Sequence, residues 1–397
     1  MKACGIVVEY NPFHNGHKFH ANSAKERTDS DIVIAVMSGN FVQRGEPAIV
    51  SKWERTEMAL HNGCDIVIEL PYAFATQKAE IFAYGAVSLL QAMKCNTLVF
   101  GSENGEILPF LQSVELLEKH KSNIDALITK YVKEGLPYAK AYQLTIEELN
   151  ICPPIDLSLP NNILGLEYIK AAKKLNSPMN FDTILRIHAN YHDQEINNSS
   201  IASATAIRKL FSTKDKKIEN VMPKNNISLM RQFEKTYGKL PTWEDFFPYL
   251  KYKILSSTPE QLKEIYEVEE GIEYRIIEKM RQSSTFEQFI QSLKTKRYTQ
   301  VKLQRMCVHL LLNTKKEWLL NAQPSYIRLL GMTEAGRSYL NQVKKQIELP
   351  FIAKVSSSKD PLLQLDIKAT NIYSLGLLHN QEALMKKEFS QTPIQKK

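Results

Sequence analysis

The chain runs to 397 residues, 43% hydrophobic and 24% charged, proportions that exclude a disordered or fibrous protein and allow two or three domains. Fifty-one Lys and Arg against 43 Asp and Glu leave a net charge of +8, a modest tilt toward polyanionic partners. Five cysteines without a C-x-x-C pair argue against a disulfide framework or thiolate zinc site, and no uncharged run exceeds "IFAYGAVSLLQAM", residues 81–93, too short to span a membrane. A cytoplasmic protein with buried thiols is the expectation.

The first hundred residues alternate. "CGIVVEY", "DIVIAVMSG", "DIVIEL" and "TLVFGSE" are short, almost wholly apolar runs, the pattern of strands buried on both faces of a parallel sheet. Helical patterns over 17–27, 52–62 and 77–93 separate them. Strand, helix, strand in succession predicts an α/β protein with a Rossmann-like, doubly wound parallel sheet. A mainly helical insertion over about 107–175 precedes a fifth strand, "DTILRI", at 182–187. "FSTKDKKIENVMPKNN", residues 211–226, reads as a polar linker, dividing the chain into 1–215 and a mostly helical 216–397. In the latter, Thr258 and Pro259 open a helix. "LPFIAKV", 349–355, reads as a strand, and "KKEFSQTPIQKK" at the end as a frayed tail.

The first strand ends in "NPFHNGHKFH", at the sheet edge where ligands of open α/β folds bind. Gly16 allows close backbone approach, and the amides of a first helical turn attract phosphate. His14 and His17, three residues apart, share one helical face and offer donors to phosphate oxygens, where they would stabilise a pyrophosphate leaving group. No carboxylate or thiol completes a zinc site with His14, His17 and His20; a plain structural turn also fits this stretch alone. "IASATAIRKLF", 201–211, supplies a second candidate: Ser203 and Thr205 at a helix start, with Arg208 one turn in, suited to phosphate oxygens.

H-x-G-H near the start with a later S-x-T-x-I-R resembles the HIGH-type nucleotidyltransferase superfamily. Longer stretches, including "VMSGNFVQRGEPAIVSKWERTEMAL", "LPNNILGLEYIK" and "LKTKRYTQVKLQRM", are similar to the tRNA(Met) cytidine acetate ligase family over nearly the whole chain. The resemblance implies an ATP-dependent ligase that forms acetyl-adenylate from acetate and ATP. It then acetylates the exocyclic amine of the wobble cytidine of elongator tRNA(Met), giving N4-acetylcytidine. It implies ATP contacts along Val7, Val8, Glu9, Tyr10, Asn11, Pro12, Phe13, His14, Asn15, Gly16, His17, Lys18, Phe19 and His20. Gly101, Arg186 and Asn162, or its neighbour Asn161, match further nucleotide positions, and His14, His17 and Arg208 are the expected catalytic residues. Mg2+ is expected with the triphosphate, although no carboxylate cluster marks its site. The residue that takes the proton from the amine stays open.

Arg44 or Lys52, in the polar stretch after the second strand, supplies a cation for an acetate pocket. From Lys294 to Lys316 seven Lys and Arg occur with no acid. At about 100° per residue, Lys294, Arg297, Lys302 and Arg305 gather on one helical face. With Tyr298 beside them they form a candidate tRNA-binding surface. Two rival readings are a small-molecule adenylyltransferase of cofactor biosynthesis and a non-catalytic RNA-binding protein on the same scaffold.

Overall fold

The computed structural model describes residues 1–136, 138–186, 202, 204–213, 215–269, 271–295 and 298–396. Its centre is a single sheet of eight strands: β1 (Ala3–Val8), β2 (Ile32–Ser38), β3 (Ile66–Leu70), β4 (Thr97–Ser102), β5 (Asn180–Leu185), β6 (Ile327–Thr333), β7 (Phe351–Ile352) and β8 (Ile394–Lys396). The order is β5-β4-β1-β2-β3-β6-β7, with β8 also on β6. β1 to β5 pair in parallel, and the order reverses at β1, with β2 on one side and β4 on the other. Such a reversal opens a crevice at the carboxyl ends of the strands. Every residue of β2 and β3 is buried, which explains their apolar sequences; Glu69 is the exception in β3, and its charge is met by Lys52.

Helix α1 (Asn15–Arg27) follows β1 and α2 (Lys52–His61) follows β2. The insertion is helical as expected: Ile107–Lys119, Lys121–Lys133, Tyr138–Glu148 and Pro160–Lys174. The last of these packs on Ala79–Ala92 and crosses β4 closely at Gly165. A Cβ there would stand 2.3 Å from the Phe100 ring.

The second half is not set apart from the first. β6 runs antiparallel to β3, and β7 and β8 pair with opposite ends of β6, so three strands after residue 216 extend the first sheet. The expected linker is packed: Ile218, Val221, Met222 and Asn226 are buried around the helices Ile218–Val221 and Lys224–Tyr237. The expected strand at 349–355 shrinks to two residues. The tail is anchored rather than frayed. Glu388, in the helix Gln381–Ser390, is fully buried and its Oε1 lies 2.7 Å from Lys52 Nζ. Glu69 holds the same ammonium at 2.7 and 2.9 Å, and Arg328 donates to the Glu388 carbonyl at 3.3 Å. Two cations and two carboxylates thus bind the C-terminal helix, α2 and β3 together beneath the surface.

The segment 294–316 is not one basic helix. Lys294 caps the end of Phe286–Leu293, and a new helix begins only at Gln300, capped by Thr299, and ends at Leu311. Residues 303–311 are all buried. Arg305 is 8% exposed and donates to Glu267 at 2.9 and 3.1 Å. Tyr298 is buried with its hydroxyl on the Glu269 carbonyl, and Lys302 is half-buried 5.0 Å above the Tyr298 ring. Arg297 lies outside the described residues. The expected exposed cationic face therefore fails at Arg305 and Tyr298, because the carboxylate that neutralises Arg305 arrives from 38 residues upstream.

Candidate nucleotide site at the strand ends

Beyond β1 the chain turns at Tyr10, φ 52°, passes a cis Asn11–Pro12 peptide and enters α1 with His14 as its N-cap. Histidine is an unusual cap, and the bonds show how it serves. The Gly16 N–H donates to His14 Nδ1 at 3.1 Å, and the His14 N–H donates to His17 Nδ1 at 3.3 Å. Each side chain satisfies a free amide of the first turn, the reciprocal logic of a capping box. Both Nδ1 atoms are therefore acceptors, which puts each proton on Nε2. The rings stack 3.8 Å apart, and Tyr10 and Phe13 hold the His17 ring from beneath at 4.9 and 5.7 Å.

Burial pushes His14 down to about 3 and His17 well below the usual imidazole range, with Arg186 repelling both. Burial and Arg186 likewise lower His20 to about 4. Near pH 7 His14 and His17 are neutral donors, each keeping its single proton on Nε2.

The rest of residues 7–20 divides into scaffold and surface. Val8, Tyr10, Pro12 and Phe13 are buried, and Asn11 is too, its Oδ1 accepting from the Ile49 N–H at 2.7 Å. Asn15 donates to the Asn220 carbonyl, whereas Lys18 and Phe19 are exposed. Glu9 is half-buried and turned to the loop after β2, where its Oε1 accepts from the Gln43 N–H at 2.7 Å.

On the β4 side of the reversal, Gly101 is the penultimate residue of the strand and lies against Arg186. A Cβ on Gly101 would stand 3.3 Å from Arg186 Cγ. Asn162, 2% exposed, is committed to structure: its Oδ1 accepts from the Glu103 N–H, and its Nδ2 donates to the Asp156 carbonyl. Glu103 in turn binds the backbone N–H of Asn161 and Asn162 and the Asn161 amide, capping that helix. Asn161 is the more accessible of the two.

Arg208, in the helix Ala204–Ser212, reaches the same place. Its Nη1 lies 3.4 Å from both the Asn11 carbonyl and Glu46. The two stretches singled out in the sequence are thus neighbours in space. Ser203 and the Thr205 side chain lie outside the described residues. Lys52 departs from expectation: it is sealed between Glu69 and Glu388 and has no valence left for an acetate. The charge of Arg44 lowers the Glu9 carboxyl and the Arg186 guanidinium, so it is felt from both sides of the sheet reversal.

One organising residue escaped sequence reading. Arg55 is fully buried and donates to the carbonyls of Glu9 at 2.7 Å, Ser38 at 2.9 Å and Val50 at 3.2 Å, and also to Gly39. One guanidinium therefore ties the ends of β1 and β2. In the helical pattern of "KWERTEM" it looks like a surface arginine, and no local signal separates it from one. Among the described residues no three His, Cys, Asp or Glu side chains gather as a metal site, and no helix is long and apolar enough to cross a membrane.

Neutral imidazole donors on a helix start, at the reversal of a parallel sheet and beside an arginine from a second helix, make a candidate nucleotide site at the place where open parallel sheets hold their ligands. A family model described as HIGH Nucleotidyl Transferase matches residues 1–388. A tRNA(Met) cytidine acetate ligase of Halalkalibacterium halodurans is 46% identical over 404 residues, 99% of this chain and 97% of its own. One from Bacillus subtilis is 47% identical over 385 residues, 95% and 93%. The apo crystal structure of Thermotoga maritima TmcAL superposes with a TM-score of 0.92 at 32% identity, covering 100% of this chain and 99% of that one. The form bound with alpha-thio ATP gives 0.90. The chain belongs to the tRNA(Met) cytidine acetate ligase family of HIGH nucleotidyl transferases.

Proposed function

We propose that this protein is an ATP-dependent ligase that joins acetate to ATP as acetyl-adenylate and then acetylates the wobble cytidine of elongator tRNA(Met). In the first step an acetate oxygen attacks the α-phosphorus, the bond to the bridging oxygen breaks, and pyrophosphate leaves. Charge builds on the phosphate oxygens, and the observation that carries the reading is the donor pair waiting for it. The Nδ1 atoms of His14 and His17 are tied to backbone N–H groups, so their Nε2–H groups are preset as donors. Fixed donors of this kind need no reorganisation when charge develops.

Arg208 adds a cation beside Asn11, and Arg186 covers Gly101, where a nucleoside would pack on bare backbone. Arg44 is the remaining candidate to hold the acetate carboxylate. Mg2+ bound to the triphosphate would neutralise phosphate charge; with no protein ligand cluster among the described residues, no step is assigned to it. For tRNA, Lys294 and Lys302 are the cations of the expected surface that stay available among the described residues.

The test is exchange of labelled pyrophosphate into ATP without RNA. Exchange that requires acetate supports the ligase. Exchange driven only by a phosphorylated cofactor precursor would favour a small-molecule adenylyltransferase, and no exchange at all a non-catalytic RNA-binding protein.

A further inference from the structure

The second step needs a proton acceptor. As the exocyclic amine attacks the acetyl carbonyl, the C–N bond forms and the bond from the acyl carbon to the adenylate oxygen breaks. AMP leaves with that electron pair, and the nitrogen must lose a proton. An exocyclic amine on a pyrimidine is conjugated with its ring and weakly basic, so an enzyme group that accepts the proton speeds the step.

The groups around the strand ends are mostly spent or unsuited. His14 and His17 present N–H groups outward, their Nδ1 lone pairs already occupied. His20 lies two turns down α1 with its Nε2 sealed from solvent. Glu103 caps the helix Pro160–Lys174 through both carboxylate oxygens. Glu46 is paired with Arg208. Asn162 is neither acid nor base.

Glu9 stands out from these. Its backbone is fixed by Arg55, 2.7 Å from the Glu9 carbonyl, and one carboxylate oxygen is fixed by the Gln43 N–H. It directly follows β1, between the β4 side that holds Gly101 and the β2 side whose following loop holds Arg44. A carboxylate in a stretch otherwise built to receive phosphates repels the nucleotide. Holding phosphates does not account for it, whereas a role in accepting a proton does.

We infer that Glu9 is the base that takes the proton from the attacking amine, an inference that rests on the ligase reading above. The groups facing it are Arg44 and Glu46 from the loop after β2, Arg55 from α2 and Tyr168 from the helix Pro160–Lys174. Burial, with repulsion from Glu46, raises its carboxyl above the usual range against the pull of Arg44 and Arg55. A raised carboxylate is the stronger base at neutral pH.

Glu9→Gln and Glu9→Asp are compared with the parent in three assays. These are acetate-dependent pyrophosphate exchange, acetohydroxamate formation with hydroxylamine, and acetylation of tRNA. Hydroxylamine is largely free base near pH 7 and needs no enzyme base. Glu9→Gln should lose far more in tRNA acetylation than in exchange or hydroxamate formation, the two assays that report adenylation alone. Its kcat for tRNA acetylation should fall about 10²–10⁴-fold while KM for tRNA holds. Glu9→Asp should recover part of that loss and move the acidic limb of the transfer pH profile. Normal transfer by Glu9→Gln, or equal losses in exchange and transfer, overturns the inference. A parent that lacks acetate-dependent exchange overturns the ligase reading itself, so the two failures are distinct.

Discussion

His14 and His17 stack 3.8 Å apart and complete one helical turn by accepting its backbone amides. The same bonds that build the helix start also fix where the ring protons sit. His14→Ala or His17→Ala should therefore lower acetate-dependent pyrophosphate exchange by about 10²–10³-fold, the loss typical of one preset donor. His14→Ala should also cost about 1 kcal/mol as a lost cap. Exchange rates beside a thermal melt separate the two effects; near-parent exchange in the double variant would reduce both residues to caps.

The same burial makes stability depend on pH. His14 is held at about 3 and His20 at about 4, against about 6.5 in an unfolded chain. Between these values the unfolded chain binds more protons than the folded one. Stability therefore rises with pH through this window and is lost as pH falls from about 6.5 toward 4. Denaturant melts of the ligand-free protein across this range should show the slope, and His14→Gln with His20→Gln should flatten it. An unchanged slope would mean that other groups carry it.

Arg305 tests whether the helix Gln300–Leu311 is structural. Arg305→Met leaves the Glu267 carboxylate buried without its cation and should destabilise the fold by about 3 kcal/mol. Burial already raises the Glu267 carboxyl, and removing Arg305 raises it further. The deficit should accordingly shrink as pH falls and Glu267 protonates. A parent-like melt, combined with weakened tRNA binding, would restore Arg305 to the tRNA surface.

Deleting residues 381–397 removes Glu388 and β8 together. Lys52 and Arg328 stay buried with one carboxylate fewer, and removing one partner of a buried ion group costs about 3–5 kcal/mol. The truncated chain should melt well below the parent. Glu388→Gln, which keeps the shape and removes the charge, should lower the melting point without preventing folding. A truncated chain as stable as the parent would mean that the tail is dispensable.

The sequence by itself determined what depends on neighbouring residues. Apolar runs set β1 to β4, because a strand buried on both faces is built mainly of apolar side chains. The spacing of His14 and His17 is one helical turn, so their shared helical face was legible as well. The stretch with Arg208 read as a second helix start for the same reason. Tertiary structure decided what depends on charges meeting from far along the chain. Glu267 reaches Arg305 across 38 residues and Glu388 reaches Lys52 across 336, so two cations that looked open to an anion were already neutralised. Arg55 became an organiser of the site only when three strand-end and loop segments brought their carbonyls to it. Local pattern records which face of an element is apolar; it does not record which partner will cover a charge, and a buried charge is stable only where that partner arrives.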